Sequence, residues 1–236
     1  MQLKSFLLLS EHLKRSFLPK PHFLMQKGTI LTILQDPRLS LDIEYSNFVE
    51  LKIQQYLELL VKWNYKFNLT AEKDPDSILK RHVFDSLQYS RALKPNFRVM
   101  DIGSGAGFPG IPLKIIFPTL NLVLVESKRK RCSFMEVTLR ELELDRSEVI
   151  NVRAEDISSK KEGKFDAVIF RAVSGLRECL VLGERFVVPG GRLIVKKPPD
   201  EAADQQGLSL TLKDNIAITN YQGFTSSLLV YEKCFT

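Results

Sequence analysis

Four glycines, Gly103, Gly105, Gly107 and Gly110, fall within the stretch VMDIGSGAGFPGIP, residues 99–112. A backbone that bare permits positive φ and removes side chains that would hold a ligand away. Pro109 and Pro112 suit a first helical turn, where a missing N–H costs little. The stretch therefore reads as the end of a strand, a bare loop and an abrupt helix start. Such a loop can lie flat under a nucleoside-containing cofactor. Gly105, Gly107 and Gly110 also satisfy G-x-G-x-x-G to the letter, so a dinucleotide competes for the same loop.

Other residues with chemical potential stand at the ends of the strands that follow. Glu126 ends the second strand, 23 residues after Gly103, where a carboxylate takes both ribose hydroxyls of either cofactor. After the third strand come Ala154, Glu155 and Asp156. An acidic group there suits an adenine edge and Ala154 leaves room for the ring, although a solvated turn carries equal weight. Arg171 ends the fourth strand, where its planar fork could hold the cofactor, a guanine O6 or a phosphate; a plain surface arginine is the alternative. Lys196 ends the fifth strand and reads equally as an RNA-backbone contact or an exposed lysine. His82 and Asp85 are i, i+3 neighbours on a predicted helix, which favours a structural His–Asp contact. Lys128 to Arg131 open another helix, where cations oppose the dipole. That placement hints at a phosphate contact, but a solvated charge run is the default. No Tyr-x-x-x-Lys pair and no histidine beyond residue 82 are present to serve a hydride transfer.

The elements that must position these groups follow from periodicity. Val49, Ile53, Tyr56, Leu60, Trp63 and Phe67 form one helical stripe, a packing face. A second helix starts with Asp74 as N-cap and Pro75 as its first residue. Ile78, Leu79, Val83 and Leu87 give its buried side; Arg81, His82, Asp85 and Ser86 gather on another. Lys94-Pro95-Asn96 ends it. From residue 97, strands and helices alternate. FRVMDI, LNLVLVES, EVINVR, FDAVIF and GRLIVK are predicted strands, with helices at 109–117, 128–144 and 175–187, the last ending before Pro189-Gly190-Gly191. NIAITNY and SSLLVYEK read as two closing strands. The expected class is α/β, a mostly parallel sheet covered by helices on both faces. Three parts are expected: a poorly ordered or atypical extension (1–40), a helical segment (41–96) and a cofactor-binding domain (97–236).

With 236 residues, 44% of them apolar, the chain can build a full core without metals or disulfides. Cys132, Cys179 and Cys234 read as reduced core residues of a cytoplasmic protein, neither a disulfide framework nor a zinc site. No run of 18 apolar residues would span a membrane. Residues 1–24 are basic and apolar, but FLLL is too short for a signal-peptide core; a start near Met25 or a poorly ordered extension is the reading. The net charge of +6 permits a polyanionic partner without demanding one.

From about residue 45 onward, the chain resembles the RsmG/GidB family of small-subunit ribosomal RNA guanine-N7 methyltransferases. The resemblance rests on Lys62-Trp63-Asn64 with Asn68-Leu69-Thr70, on Arg81-His82-Val83-Phe84-Asp85-Ser86 and on the glycine loop from Asp101 to Pro112. Lys130-Arg131, Ala154-Glu155 and Arg171-Ala172 follow in the family's order. It implies a class I S-adenosylmethionine-dependent methyltransferase fold, Rossmann-like, with a reversed final strand. It further implies methylation of N7 of a specific guanine in 16S rRNA, within the small ribosomal subunit; a cytoplasmic monomer that uses no metal is expected alongside it. On this reading Gly103, Ser104, Gly105, Phe108, Glu126, Ala154, Glu155 and Arg171 contact the cofactor, while Arg171, Lys196 and His82 serve the reaction. Guanine N7 carries a free lone pair, so its attack on a methyl group needs no general base, in keeping with a sequence that offers no acid–base pair. One departure stands out: Val195-Lys196-Lys197-Pro198 replaces the family's Leu-Lys-Gly, with Lys197 in the glycine's place. Two other classes remain open on the residues alone, a nicotinamide-dependent oxidoreductase and a non-catalytic RNA-binding protein with a vestigial cofactor fold.

Overall fold

A computed structural model describes residues 28–41, 47–171, 175–199, 201 and 205–235. The expectations for residues 1–24 and Met25, and the motif residue Ala172, lie outside the described residues. Seven strands form one sheet in the order β3-β2-β1-β4-β5-β7-β6. They are β1 (Arg98–Ile102), β2 (Asn121–Val125), β3 (Ser147–Ile150), β4 (Phe165–Phe170), β5 (Val187–Lys197), β6 (Leu210–Thr219) and β7 (Thr225–Lys233). The first five pair in parallel; β7 runs antiparallel to both β5 and β6. β1 and β4 carry near-continuous apolar runs because both faces of a central parallel strand are covered. Successive residues accordingly enter different cores: Val99, Ala167 and Ile169 pack in one cluster, Met100, Val168 and Phe170 in the other.

Helices supply both covers. On one face lie α1 (Thr29–Leu34), α2 (Asn47–Phe67), α3 (Pro75–Ile78), α4 (Phe84–Leu87), α5 (Gly110–Ile116) and α6 (Arg129–Glu141); on the other, α7 (Leu176–Glu184). The predicted stripe of α2 buries Val49, Ile53, Tyr56 and Leu60, but Trp63 is half-buried and Phe67 exposed. Asp74 caps α3, its Oδ1 accepting the Ser77 N–H at 2.8 Å. Between α3 and α4 the chain makes a π turn, Leu79–Val83, and a 3-10 segment, Gln88–Ala92, ends the run. All seven residues of α5 are buried, Lys114 included. Its ammonium donates to the carbonyls of Pro118 (2.7 Å) and Leu120 (2.6 Å), which explains how a lysine survives there.

Two expectations need correction. α7 ends at Glu184, and β5 begins at Val187, so Pro189-Gly190-Gly191 lies inside a strand and not in the turn before it. Phe165 pairs with Val187 but Ala167 with Arg192, so β5 carries extra residues as a bulge there, and Gly190 takes φ +74°. Cys132 and Cys179 are buried as expected, whereas Cys234 is exposed just beyond β7.

Two tyrosines tie the helical layer to the carboxyl ends of the strands. Tyr56 of α2 donates its hydroxyl to the carbonyl of Ala106 at 2.7 Å, within the glycine loop. Tyr89 donates to the carbonyl of Phe170 at 2.7 Å, at the end of β4. Both are fully buried, and burial pushes both phenols well above their ordinary pKa. Tyr56→Phe leaves the Ala106 carbonyl without this partner. It should lower the urea midpoint by an amount equivalent to about 1–2 kcal/mol, with an unchanged m-value.

Candidate functional site

The loop after β1 is fastened to β2, with the N–H groups of Gly103 and Ser104 both donating to the carbonyl of Val125, at 2.9 and 3.1 Å. Ser104 is buried, and its hydroxyl donates to the carbonyl of Asp101 at 2.8 Å. Gly105 has φ +59°, and a Cβ there would come no closer than 3.8 Å to another side chain. Packing does not demand its bareness, so that side of the loop is left clear for a ligand. Gly110 differs, since a Cβ there would lie 2.6 Å from Leu124 Cδ2 and 2.8 Å from Asp101 Oδ2. That glycine lets α5 press against the strands.

Two buried carboxyls face this loop. Glu126, 6% exposed, accepts the Gly105 N–H at 3.1 Å and the Lys128 N–H at 2.8 Å. Arg131 approaches it at 3.4 Å. Asp101 is fully buried; its Oδ2 accepts the Gly110 N–H at 2.9 Å, and its Oδ1 has no partner among the described residues. Burial pushes this carboxyl up to about 8, against the pull of the Gly110 N–H. At the end of β3, Ala154–Asp156 form a 3-10 turn with Ala154 half-buried and Glu155 exposed. Arg185 steadies the turn by donating to the carbonyls of Glu155 and Ile157 at 3.3 and 3.1 Å.

A second cluster sits where β4 and β5 end beneath the π turn. Asp85, buried, accepts from Arg171 Nε at 3.1 Å and from the Lys196 ammonium. Arg171 Nη2 donates to His82 Nδ1 at 2.9 Å. A guanidinium can only donate, so Nδ1 carries the lone pair and His82 is the neutral Nε2–H tautomer. That Nε2 meets Glu72 Oε2 at 2.5 Å, and Arg81 holds the other oxygen of Glu72 at 2.7 Å. Burial, and after it the charge of Arg171, lowers the His82 pKa despite Glu72. Phe108 joins the two clusters. Its ring stacks on His82 at 5.0 Å, lies 5.4 Å from the Arg171 guanidinium carbon and meets Tyr56 edge-on at 5.5 Å. A cavity of about 450 Å³ opens beside this network and is lined as well by Asn220, Gln222 and Phe224 of the β6–β7 turn.

The structure thus brings His82, Arg171 and Lys196 together, and Gly103, Ser104, Gly105 and Glu126 together, with Phe108 between the groups. The expected His82–Asp85 contact does not form. Spacing of i, i+3 makes neighbours in a regular α-helix, and the wider π turn splays these two residues apart onto different nitrogens of Arg171. Lys196 is not a free surface lysine but the second cation on Asp85. Sequence reading assigned no role to Glu72, Asp101 or the β6–β7 turn. Asp101 stood in the quoted motif, where an acidic residue inside an apolar strand was a usable signal; Glu72 lies in a loop and gives no periodic one.

Asp101 makes stability depend on pH. Near pH 4 the unfolded chain loses this proton, while the folded protein keeps it until about pH 8. Stability from this group is therefore full at low pH and is lost as pH rises through that window. Asp101→Asn, neutral throughout, should flatten the decline in denaturation midpoint between about pH 5 and 8.

Comparison with known proteins now gives this geometry a family. The family described as GidB, rRNA small subunit methyltransferase G, matches residues 50–221. A ribosomal RNA small subunit methyltransferase G from Mesoplasma florum is 35% identical over 192 residues, 77% of this chain and 80% of that protein. One from Alkaliphilus oremlandii is 37% identical over 171 residues, 71% of this chain and 72% of that protein. Among solved structures, a variant of MtNAS in complex with S-adenosylmethionine aligns with a TM-score of 0.54 at 14% identity, over 80% of this chain and 77% of that one. A SAM-dependent methyltransferase from Aquifex aeolicus aligns with a TM-score of 0.50 at 15% identity, over 65% and 92%. The fold is the expected class I S-adenosylmethionine-dependent methyltransferase fold, with the reversed β7. With most of its length matched by the family and by relatives at this identity, the chain belongs to the rRNA small subunit methyltransferase G family.

Proposed function

We propose that the protein methylates N7 of one guanine in 16S rRNA, within the small ribosomal subunit, as a monomer in the cytoplasm. Family membership supports the RNA substrate, and the choice of atom rests on one observation. The histidine nitrogen that could have served as a base already accepts a hydrogen bond from Arg171. A nucleophile that carries no proton suits a site built this way, and guanine N7 is one.

The residues present fit S-adenosylmethionine. Gly103, Ser104 and Gly105 offer a bare floor, Glu126 is placed for ribose hydroxyls, and Ala154 with Glu155 stands where an adenine edge would lie. The orphaned Oδ1 of Asp101 suits an ammonium group, whose charge would restore this carboxyl to its ionised form. When bound, this cofactor supplies a methyl group activated by an adjacent sulfonium. Phe108 separates that floor from the cavity and fixes the heights of His82 and Arg171 above it. Arg171 and Lys196, neutralised in part by Asp85, orient the incoming guanine and its phosphates, and His82 holds the Arg171 fork in plane. The closed network keeps water from the reacting atoms. The helical segment 41–96 acts as the scaffold of the domain 97–236, through Tyr56 and Tyr89.

Calorimetry should show saturable binding of S-adenosylmethionine and S-adenosylhomocysteine but not of NAD. Gly105→Val should abolish it, because the side chain fills the clear side of the loop. Unaltered affinity in a folded variant would remove the loop from the site.

Methyl incorporation into small-subunit RNA tests the reaction. The rate of transfer should show no essential deprotonation between about pH 6 and 9. Arg171→Lys keeps the charge but loses the fork that reaches Asp85 and His82 together. A loss of about a hundredfold, roughly 2.7 kcal/mol of transition-state stabilisation, is expected. A rate that tracked one ionisation, and lost that dependence in His82→Ala, would mean that a base is used and that N7 is the wrong atom.

A further inference from the structure

We propose that the β6–β7 turn is a base-stacking platform, with the Phe224 ring receiving an unstacked nucleobase of the RNA in the cavity above Arg171 and Lys196. This rests on the methyltransferase reading and deepens it. Phe224 is 73% exposed. A single exposed aromatic is ordinary by itself; three observations separate this one from a chance surface residue.

The first is rigidity. The turn closes on itself through Asn220, whose N–H donates to the Phe224 carbonyl at 3.0 Å and whose Oδ1 accepts the Phe224 N–H at 2.9 Å. It is also anchored from outside. Arg38 donates to the Asn220 carbonyl at 3.0 Å while Asp36 grips its other nitrogens at 2.8 and 2.6 Å. Gln88 donates to the Thr219 carbonyl at 3.1 Å. A hairpin turn at a sheet edge needs none of this for its own sake, and the result is a fixed stage for whatever the turn presents.

The second is the contrast with Tyr221, three residues away. Its ring packs edge-on against Phe84 at 5.5 Å and lies under the Arg38 guanidinium, so it fastens the turn. The Phe224 ring has no such aromatic or cation contact among the described residues and lines the cavity instead.

The third is what faces it. Arg81, Arg171 and Lys196 line the same cavity, and its volume of about 450 Å³ is large enough for a nucleotide. Cations beside an exposed ring are the combination that single-stranded nucleic acid uses, phosphates meeting the charges and a base stacking on the ring. The neighbouring Gln222, also exposed on the turn, offers an amide to a base edge.

The test compares the wild-type protein with Phe224→Ala, Phe224→Tyr and Phe224→Leu on unmethylated small ribosomal subunits. Phe224→Ala should lower kcat/KM for the subunit by about tenfold or more, mainly through KM, with S-adenosylmethionine affinity unchanged. Phe224→Tyr should stay near wild type, and Phe224→Leu should resemble Phe224→Ala, because it keeps apolar area without a stacking face. Wild-type kinetics in Phe224→Ala or in Phe224→Leu would overturn the platform, as would an equal loss of cofactor affinity. A second arm works without turnover. Phe224→Trp, read against the parent with its lone Trp63, should show fluorescence quenching by guanosine monophosphate; no quenching beyond the parent overturns the proposal. If the wild-type protein methylates no small-subunit RNA, the reaction reading fails, and this arm still decides the platform by itself.

Discussion

One buried carboxylate holds the working end of the sheet together. Asp85 receives Arg171 from the end of β4 and Lys196 from the end of β5. A charge out of water is tolerated only when paired and hydrogen-bonded, and removing one partner of such a set costs more than the set contributes. The three groups therefore require one another. Everything beyond them follows from where Asp85 is delivered. The π turn presents it to the strand ends, Arg171 is then aimed at His82, and His82 in turn is held by Glu72. Fixed charges and dipoles laid out before a ligand arrives need no rearrangement when it reacts.

The helices before the sheet supply that order. A glycine-rich loop has the largest conformational freedom of any segment and so the most to lose when it is ordered. Here the Tyr56 hydroxyl and the β2 carbonyl of Val125 restrain it from two directions. Tyr89 does the same for the exit of β4, next to Arg171. Phe108 is what the loop gives back, a ring that sets the spacing between the loop and the cation cluster.

Much of this was legible beforehand. The alternation of strands and helices, Asp74 as a cap and the glycine loop all come from local rules that tertiary packing did not override. Failures arose where a local rule had a tertiary exception. Pro189-Gly190-Gly191 looks like a chain reversal, but β5 absorbs it as a bulge. Phe67 continues the α2 stripe past the core and meets only Trp63 and the Lys130 ammonium, which leave it partly exposed. His82 and Asp85 had neighbouring spacing in a helix whose period changes beneath them. Glu72 could not have been paired with His82 from spacing, because the link between a loop and a helix face is made only by the fold. Cys234, apolar in its sequence context, lies beyond the last strand, where no second layer covers it.

The π turn also has a consequence for how such a site drifts over time. Within Leu79–Val83 the chain holds one residue more than a regular turn would. Its contribution is a count and not a side chain. Replacing one residue there by another of similar size would leave the count intact, whereas losing a single codon would give a smoother helix and swing every later position by roughly 100°. Asp85 would then leave the strand ends although its identity, and that of each of its partners, had been preserved. In this segment the geometry constrains length more tightly than composition, and a one-residue deletion would do more to the site than several substitutions of similar size.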